Sequence, residues 1–233
     1  MLSATSPVQD VQGAAPRRAL LAGATGLVGR ELLRLLAADS RYAEVHVLAR
    51  RPLTDQPVVR KMSVEIGPLA GASSVPAADD VYLALGTTIR AAGSQEAFRR
   101  VDLDLVVHLA RLARIAGATR LAVVSALGAD PASRVFYNRV KGEMEAAVQT
   151  LGYRSVVIAR PSLLSGDRAT LEQKPRPGER AALALLAPLG QWLPSVWRPV
   201  PARAVARAMI ESLRKPAPGS TLLDSRALGQ FDL

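Results

Sequence analysis

The chain contains no cysteine, which excludes a disulfide framework and thiolate-held zinc at once. It has two histidines, His46 and His108, so a histidine-rich metal site is excluded too, and no metal is expected. Aromatic residues make up 4% of the sequence, too few to interleave with basic residues as a base-stacking surface. Apolar runs such as Ala181 to Leu189 fall far short of the ~20 residues that cross a bilayer. The first residues include Ser3, Thr5, Ser6, Pro7 and Gln9, with no apolar stretch after a basic start. No secretory leader is therefore expected, and the cytoplasm is the expected compartment. Lysine is scarce as well: only Lys61, Lys141, Lys174 and Lys215 among 30 basic residues, the rest being scattered arginines. The net charge of +10 thus reads as an arginine- and alanine-rich composition, and neither a nucleic-acid nor a membrane partner is expected.

What is present fits one sizeable core: 233 residues, 49% hydrophobic and 21% charged. Residues 1–16 lack periodicity and read as a disordered tail, and residues 17–233 as a single domain. Short continuous apolar runs follow: Ala19 to Ala22, Val45 to Leu48, a weaker one at Ser63 to Ile66, Val81 to Leu85, Leu121 to Val124 and Ser155 to Ala159. Continuity, in place of alternation, marks strands buried on both faces of a parallel sheet. Helical spacing lies between them, from Leu27 to Leu36 and from Tyr137 to Leu151. After Ser94 the residues Phe98, Val101, Leu105, Leu109, Leu112 and Ala116 form one apolar stripe, with Ser94 as N-cap and Gly117 as stop. Alternating strand and helix predict an α/β doubly wound, Rossmann-type parallel sheet. Beyond Pro161 the texture changes. A long loop from Leu164 to Glu179, a short helix at Ala181 to Leu189, a longer one at Ala202 to Arg214 and a final strand at Thr221 to Asp224 read as a substrate-side appendage over 161–233.

Gly23-Ala24-Thr25-Gly26-Leu27-Val28-Gly29 falls between the first strand and the first helix. Such spacing supplies a tight turn, a backbone that a pyrophosphate can approach, and close helix–strand packing, with helix N–H groups facing the phosphates. Where a NAD-preferring fold carries an acid, after the second strand, this chain has Arg50-Arg51, since Glu44 comes too early and Asp55 lies beyond Pro52. Guanidinium groups bind a phosphate through charge-assisted forks, so NADP(H) is the expected cofactor in preference to NAD(H).

Ser125 follows the Leu121 to Val124 strand, Tyr137 comes twelve residues later, and Lys141 is one helical turn beyond. A tyrosine hydroxyl titrates near 10 in model peptides, and a neighbouring ammonium favours its ionised form. The three residues suit hydride transfer: serine holds and polarises a carbonyl or alcohol, tyrosine passes the proton, and lysine supplies charge.

With these residues in place, the chain over 18–225 resembles the atypical or extended short-chain dehydrogenase/reductase superfamily. Leu85-Gly86-Thr87-Thr88-Ile89-Arg90-Ala91-Ala92-Gly93-Ser94, Glu96-Ala97-Phe98 and Val101-Asp102 resemble its branch of Tat-interacting oxidoreductase-like proteins. Tyr137 to Glu143, Arg160-Pro161 and Arg176-Pro177-Gly178-Glu179 agree with that branch. The resemblance implies NADP(H) binding, a catalytic set of Ser125, Tyr137 and Lys141, and a backbone over Pro161, Ser162, Leu163 and Leu164 beside the nicotinamide. It also implies that Gly86 and Thr87 approach the adenosine ribose or diphosphate, and that Lys141 contacts the cofactor too. Many members of the superfamily carry asparagine on the helix after the fourth strand; Asp102 stands in that neighbourhood here. The function expected is an NADP(H)-dependent oxidoreductase of a small carbonyl or alcohol, the alternative being an NADP(H)-binding redox sensor or regulator with little turnover. Trp192, Leu193 and Trp197 read as packing more readily than as pocket lining. A monomer is favoured over a dimer, because the helix after Ser94 bears Arg99, Arg100, Asp104, Arg111 and Arg114 outside its apolar stripe.

Overall fold

A computed structural model describes residues 16–53, 61–165 and 199–232 of the chain. The expected tail up to residue 15, the 164–179 loop beyond Ser165, the Ala181 to Leu189 helix, Trp192, Leu193 and Trp197 lie outside the described residues.

The apolar runs become strands β1 (Arg17–Ala22), β2 (Tyr42–Ala49), β3 (Met62–Ile66), β4 (Asp80–Leu83), β5 (Arg120–Val124) and β6 (Ser155–Arg160). After a two-residue pair formed by β7 (Leu164–Ser165) and β8 (Val200–Pro201) comes β9 (Gly219–Asp224). Every pairing is parallel, and the sheet runs β3-β2-β1-β4-β5-β6-β9. Successive strand residues point to opposite faces, and both faces are covered, which explains the unbroken apolar runs. Ala19, Leu21, Tyr82, Ala122 and Val157 enter one core with helix α1 (Leu27–Ala38). Leu20, Ala22, Val81, Leu83, Leu121, Val123, Val156 and Ile158 enter the other. Full burial of a side chain such as Leu32 or Leu36 contributes about 1.5–3 kcal/mol.

The second core is closed by four helical pieces. These are α2 (Ile89–Ala92), α3 (Gln95–Arg99), a π-helical turn over Arg100–Leu105, and α4 (Val106–Ile115), joined on the same face by α5 (Phe136–Gln149). Ser94 caps α3 as its residue type requires, accepting from the Ala97 N–H at 3.0 Å, and Gly117 follows α4 at φ +102°. The π turn inserts an extra residue into the helical repeat. As a result Val101 of the anticipated stripe is only half-buried, while Asp102 turns inward and is fully buried.

The described end of the chain joins the main sheet and one of its two cores. β9 pairs with β6 along six residues as the seventh strand of the main sheet. Helix α6 (Ala202–Arg214) buries Val205, Met209 and Leu213, and also Ala202, Ala204, Ala206, Ala208 and Ile210, in the core shared with α1. β9 opens with Gly-Ser-Thr because it is an edge strand, which leaves little apolar signal in the sequence. Helix α7 (Ser225–Gly229) follows, capped by Asp224, which accepts from the Ala227 N–H at 2.8 Å.

At the amino-terminal edge of the sheet the first residues of four neighbouring strands meet. The fully buried Asp80 carboxylate pairs with Arg17 and with Arg120 Nε at 2.8 Å, and accepts from the Tyr42 hydroxyl at 2.6 Å; Tyr42 in turn meets the Tyr82 hydroxyl at 2.8 Å. Burial pushes the hydroxyls of Tyr42 and Tyr82 above the ordinary tyrosine value, reinforced by the Asp80 charge. Burial does the same to Tyr153, whose hydroxyl donates to Ala110 O at 2.6 Å.

Candidate active site

The opposite, carboxyl edge collects the residues singled out in the sequence. Gly23 ends β1 at φ +90°, and a Cβ there would lie 2.4 Å from Ala84 O. A Cβ on Gly29 would lie 1.9 Å from Gly23 O, so helix α1 can approach the turn only with glycine. Gly26 differs: its Cβ would meet nothing closer than Gly23 O at 3.5 Å. The fold has room for a side chain at Gly26, which is what a backbone kept bare for a ligand looks like. Gly26 also caps α1, whose first turn, with half-buried Leu27 and buried Val28, holds no acidic residue. Thr25 is exposed beside it. These residues fit a dinucleotide pyrophosphate, because unpaired helix N–H groups and the positive end of the helix dipole face that space. Arg50 and Arg51 are exposed directly past the end of β2, the strand paired with β1.

Past β4, the Gly86–Thr87 segment is tied to the helices behind it. The Thr87 N–H donates to Asp102 Oδ2 at 2.9 Å, and Asp102 Oδ1 meets the Lys141 ammonium at 2.7 Å. Lys141 is 3% exposed and Asp102 is 0% exposed, so each charge has the other as compensation in a site without bulk water. A Cβ on Gly86 would lie 3.4 Å from Asp102 Oδ1 and 3.9 Å from Lys141 Nζ, placing that backbone directly over the pair. The sequence names Asp102 as a neighbour; its inward aim comes from the π turn, which has no sequence signature.

Tyr137 is half-buried in the first turn of α5, its ring centroid 5.3 Å from that of the fully buried Phe98. Ser125 stands at the end of β5, with its N–H donating to Ala159 O at 2.7 Å. Its hydroxyl, which the sequence assigns to holding and polarising a substrate, donates to Glu145 Oε1, a residue that the sequence reading does not single out. Glu145 also receives the Arg160 guanidinium. The available signal was its spacing, one turn beyond Lys141 and two beyond Tyr137 on a face judged by apolar residues alone. The segment after β6 is pinned on three sides. Buried Pro161 accepts from the Leu127 N–H at 3.0 Å, Ser162 N–H donates to Ser225 Oγ at 2.8 Å, and Leu163 O accepts from the Val200 N–H at 2.8 Å. Leu164 begins β7.

A family model described as NAD(P)H-binding matches residues 23–182. Protein HTATIP2 of Rattus norvegicus is 33% identical over 215 residues, covering 88% of this chain and 85% of the rat protein. Protein fmp52, mitochondrial, of Aspergillus niger is 31% identical over 217 residues, covering 86% and 90%. Among solved structures, MoeE5 in complex with UDP-glucose and NAD matches with a TM-score of 0.67 at 18% identity, over 88% of this chain and 75% of that one. A short-chain dehydrogenase/reductase superfamily protein from Agrobacterium tumefaciens with bound NAD matches at 0.63 and 17% identity, over 91% and 81%. The solved structures share the fold.

Proposed function

The chain belongs to the NAD(P)H-binding family, within the atypical short-chain dehydrogenase/reductase branch that its motifs resemble, and on that premise we propose an NADP(H)-dependent oxidoreductase interconverting a carbonyl and an alcohol. The observation that carries this reading is the Lys141 ammonium, buried one helical turn from Tyr137 and bonded through Asp102 to the Thr87 backbone. Tyr137 and Lys141 share one face of α5, and in this reading the phenol is the group that exchanges the proton. Bound NADP(H) supplies or takes up the hydride. Gly23, Thr25, Gly26, Leu27, Val28 and Gly29 hold the diphosphate in this reading, and Arg50 and Arg51 the 2′-phosphate. Gly86, Thr87, Lys141 and the segment Pro161 to Leu164 flank the remainder. Tyr137 passes the proton to or from the reacting oxygen, Lys141 fixes the charge beside it, and Ser125 holds the substrate.

The test is a screen of carbonyl compounds read by NADPH absorbance, run beside Tyr137→Phe. That variant keeps the ring against Phe98, so its melting temperature should match wild type while turnover falls ~100-fold or more. Wild-type turnover in the variant would overturn the mechanism; NADPH binding with no carbonyl reduced would favour the sensor reading. Cytoplasmic residence and a monomeric state are proposed alongside. Cell fractionation is the check on the first, since fungal relatives carry "mitochondrial" in their names, and light scattering is the check on the second.

A further inference from the structure

Two ion pairs stand at the carboxyl edge of the sheet. Asp102 Oδ2 accepts from the Thr87 N–H at 2.9 Å, and Oδ1 lies 2.7 Å from the Lys141 ammonium, with both side chains buried. Both neighbours are donors, so the aspartate stands as an anion and cancels the lysine charge. On the same helix, α5, the buried Glu145 carboxylate is held by the Arg160 guanidinium, with Nε 2.9 Å from Oε1. Together the two pairs sum to zero charge. Arg50 and Arg51 lie exposed at a different strand end, past β2.

In the oxidoreductase reading, on which this inference rests, Tyr137 meets the reacting oxygen, and the ring that exchanges hydride stands ~3–3.5 Å from the reacting carbon. Lys141 is one helical turn from Tyr137, which brings its charge within about 10 Å of that ring. The oxidised nicotinamide ring is a cation and the reduced ring is neutral. An unpaired lysine at that distance repels the first and not the second. We propose that Asp102 is a positioning residue whose carboxylate, aimed at Lys141 by the π turn, cancels that repulsion, so that the site holds NADP+ and NADPH with similar affinity. Neither form is then expelled on charge alone, and turnover runs in either direction. A protein that holds both forms alike carries no signal of their ratio, which separates this site from the redox-sensor alternative.

The experiment titrates NADP+ and NADPH separately into the full-length protein and into Asp102→Asn, by calorimetry. Asparagine keeps an acceptor for the Thr87 N–H and removes the charge. Titrations run at about pH 6, where a lysine lowered by about four units still holds most of its charge. The cofactor phosphates, and Arg50 and Arg51, act on both forms and cancel in the ratio of affinities. Wild type should bind the two forms within about tenfold of each other. Asp102→Asn should lose NADP+ affinity and shift the ratio toward NADPH by roughly five- to twentyfold, the effect of one unit charge at about 10 Å and an effective dielectric near 20. A merely structural role for Asp102 would weaken both forms equally, and an unchanged ratio overturns the proposal. Should Asp102→Asn not fold, wild type decides, and a preference for NADPH of more than about tenfold overturns it. Failure of the underlying reading looks different: neither form binds, or Tyr137→Phe keeps full turnover on a confirmed substrate.

Discussion

Glycine stands at 23, 26 and 29 for different physical reasons, and substitution separates them. Gly29→Ala drives a methyl group against Gly23 O, a backbone atom with nowhere to move, so it should destabilise the fold by about 1–3 kcal/mol or prevent folding. Gly26→Ala meets only ordinary contacts and should melt within a few degrees of wild type while NADPH affinity falls at least about tenfold. Differential scanning calorimetry and cofactor titration on the two variants check this, and wild-type NADPH affinity in Gly26→Ala would remove the turn from the site. Arg50 and Arg51 carry the prediction on cofactor choice. Hydrogen bonds to a charged group contribute about 1.5–3 kcal/mol each, less where solvent screens them, so one or two imply a preference for NADPH over NADH of roughly 10- to 1,000-fold. Replacing both with alanine should weaken NADPH binding and leave NADH almost untouched, and rising salt should shrink the preference. Equal affinities in the wild-type protein would make the two arginines plain surface charges.

At the level of elements, the π turn between α3 and α4 matters most to the site, because it aims a carboxylate into a helix face that is otherwise apolar. Asp102→Ala leaves the buried Lys141 ammonium without its carboxylate, and breaking one side of a buried pair costs about 3–5 kcal/mol. Urea denaturation should show that loss, and the Thr87 N–H, deprived of its acceptor, should exchange with solvent faster. A loss under about 1 kcal/mol would mean that water replaces the carboxylate and that the pair organises nothing. By comparison Ser94→Ala, which removes the α3 cap, should cost only about 0.5–2 kcal/mol. The cap was legible because a serine before a helical stripe has a local job. The π turn was not, because it answers to the packing of α5 against the same helix.

Across the whole molecule the two edges of the sheet divide the work: the carboxyl edge gathers the candidate site, and the amino edge a buried polar knot around Asp80. Tyr42, Tyr82 and Tyr153 all prefer their neutral form in the fold more strongly than a free tyrosine does. Their folded-state values are raised, so the stability they contribute is complete below pH ~10, the unfolded value, and is lost as pH climbs toward the folded values. Each costs up to about 1.4 kcal/mol per pH unit in that window, because the unfolded chain releases protons that the folded one retains. Denaturation midpoints should hold steady to about pH 9 and then fall steeply, with tyrosinate absorbance rising as the fold opens and not before. Early ionisation of these tyrosines in a still-folded protein would contradict the burial described.

Local chemistry determined much of this protein from sequence alone. A continuous apolar run must be covered on both faces, a glycine turn between strand and helix admits few alternatives, and Tyr137 and Lys141 share a face because the helix repeats every 3.6 residues. The parallel sheet, the glycine turn and that pair are therefore readable as patterns. Other features depend on what distant segments bring. β9 reads as a weak polar segment until β6 supplies its partner, and α6 reads as an outlying helix until α1 supplies its contact face. Asp102 is aimed inward by the π turn and meets Lys141 there, and the Ser125 proton points to Glu145, whose carboxylate Arg160 holds from another strand. A charge or a hydroxyl can be placed in the chain by sequence, but its direction belongs to the partner that the fold sets against it.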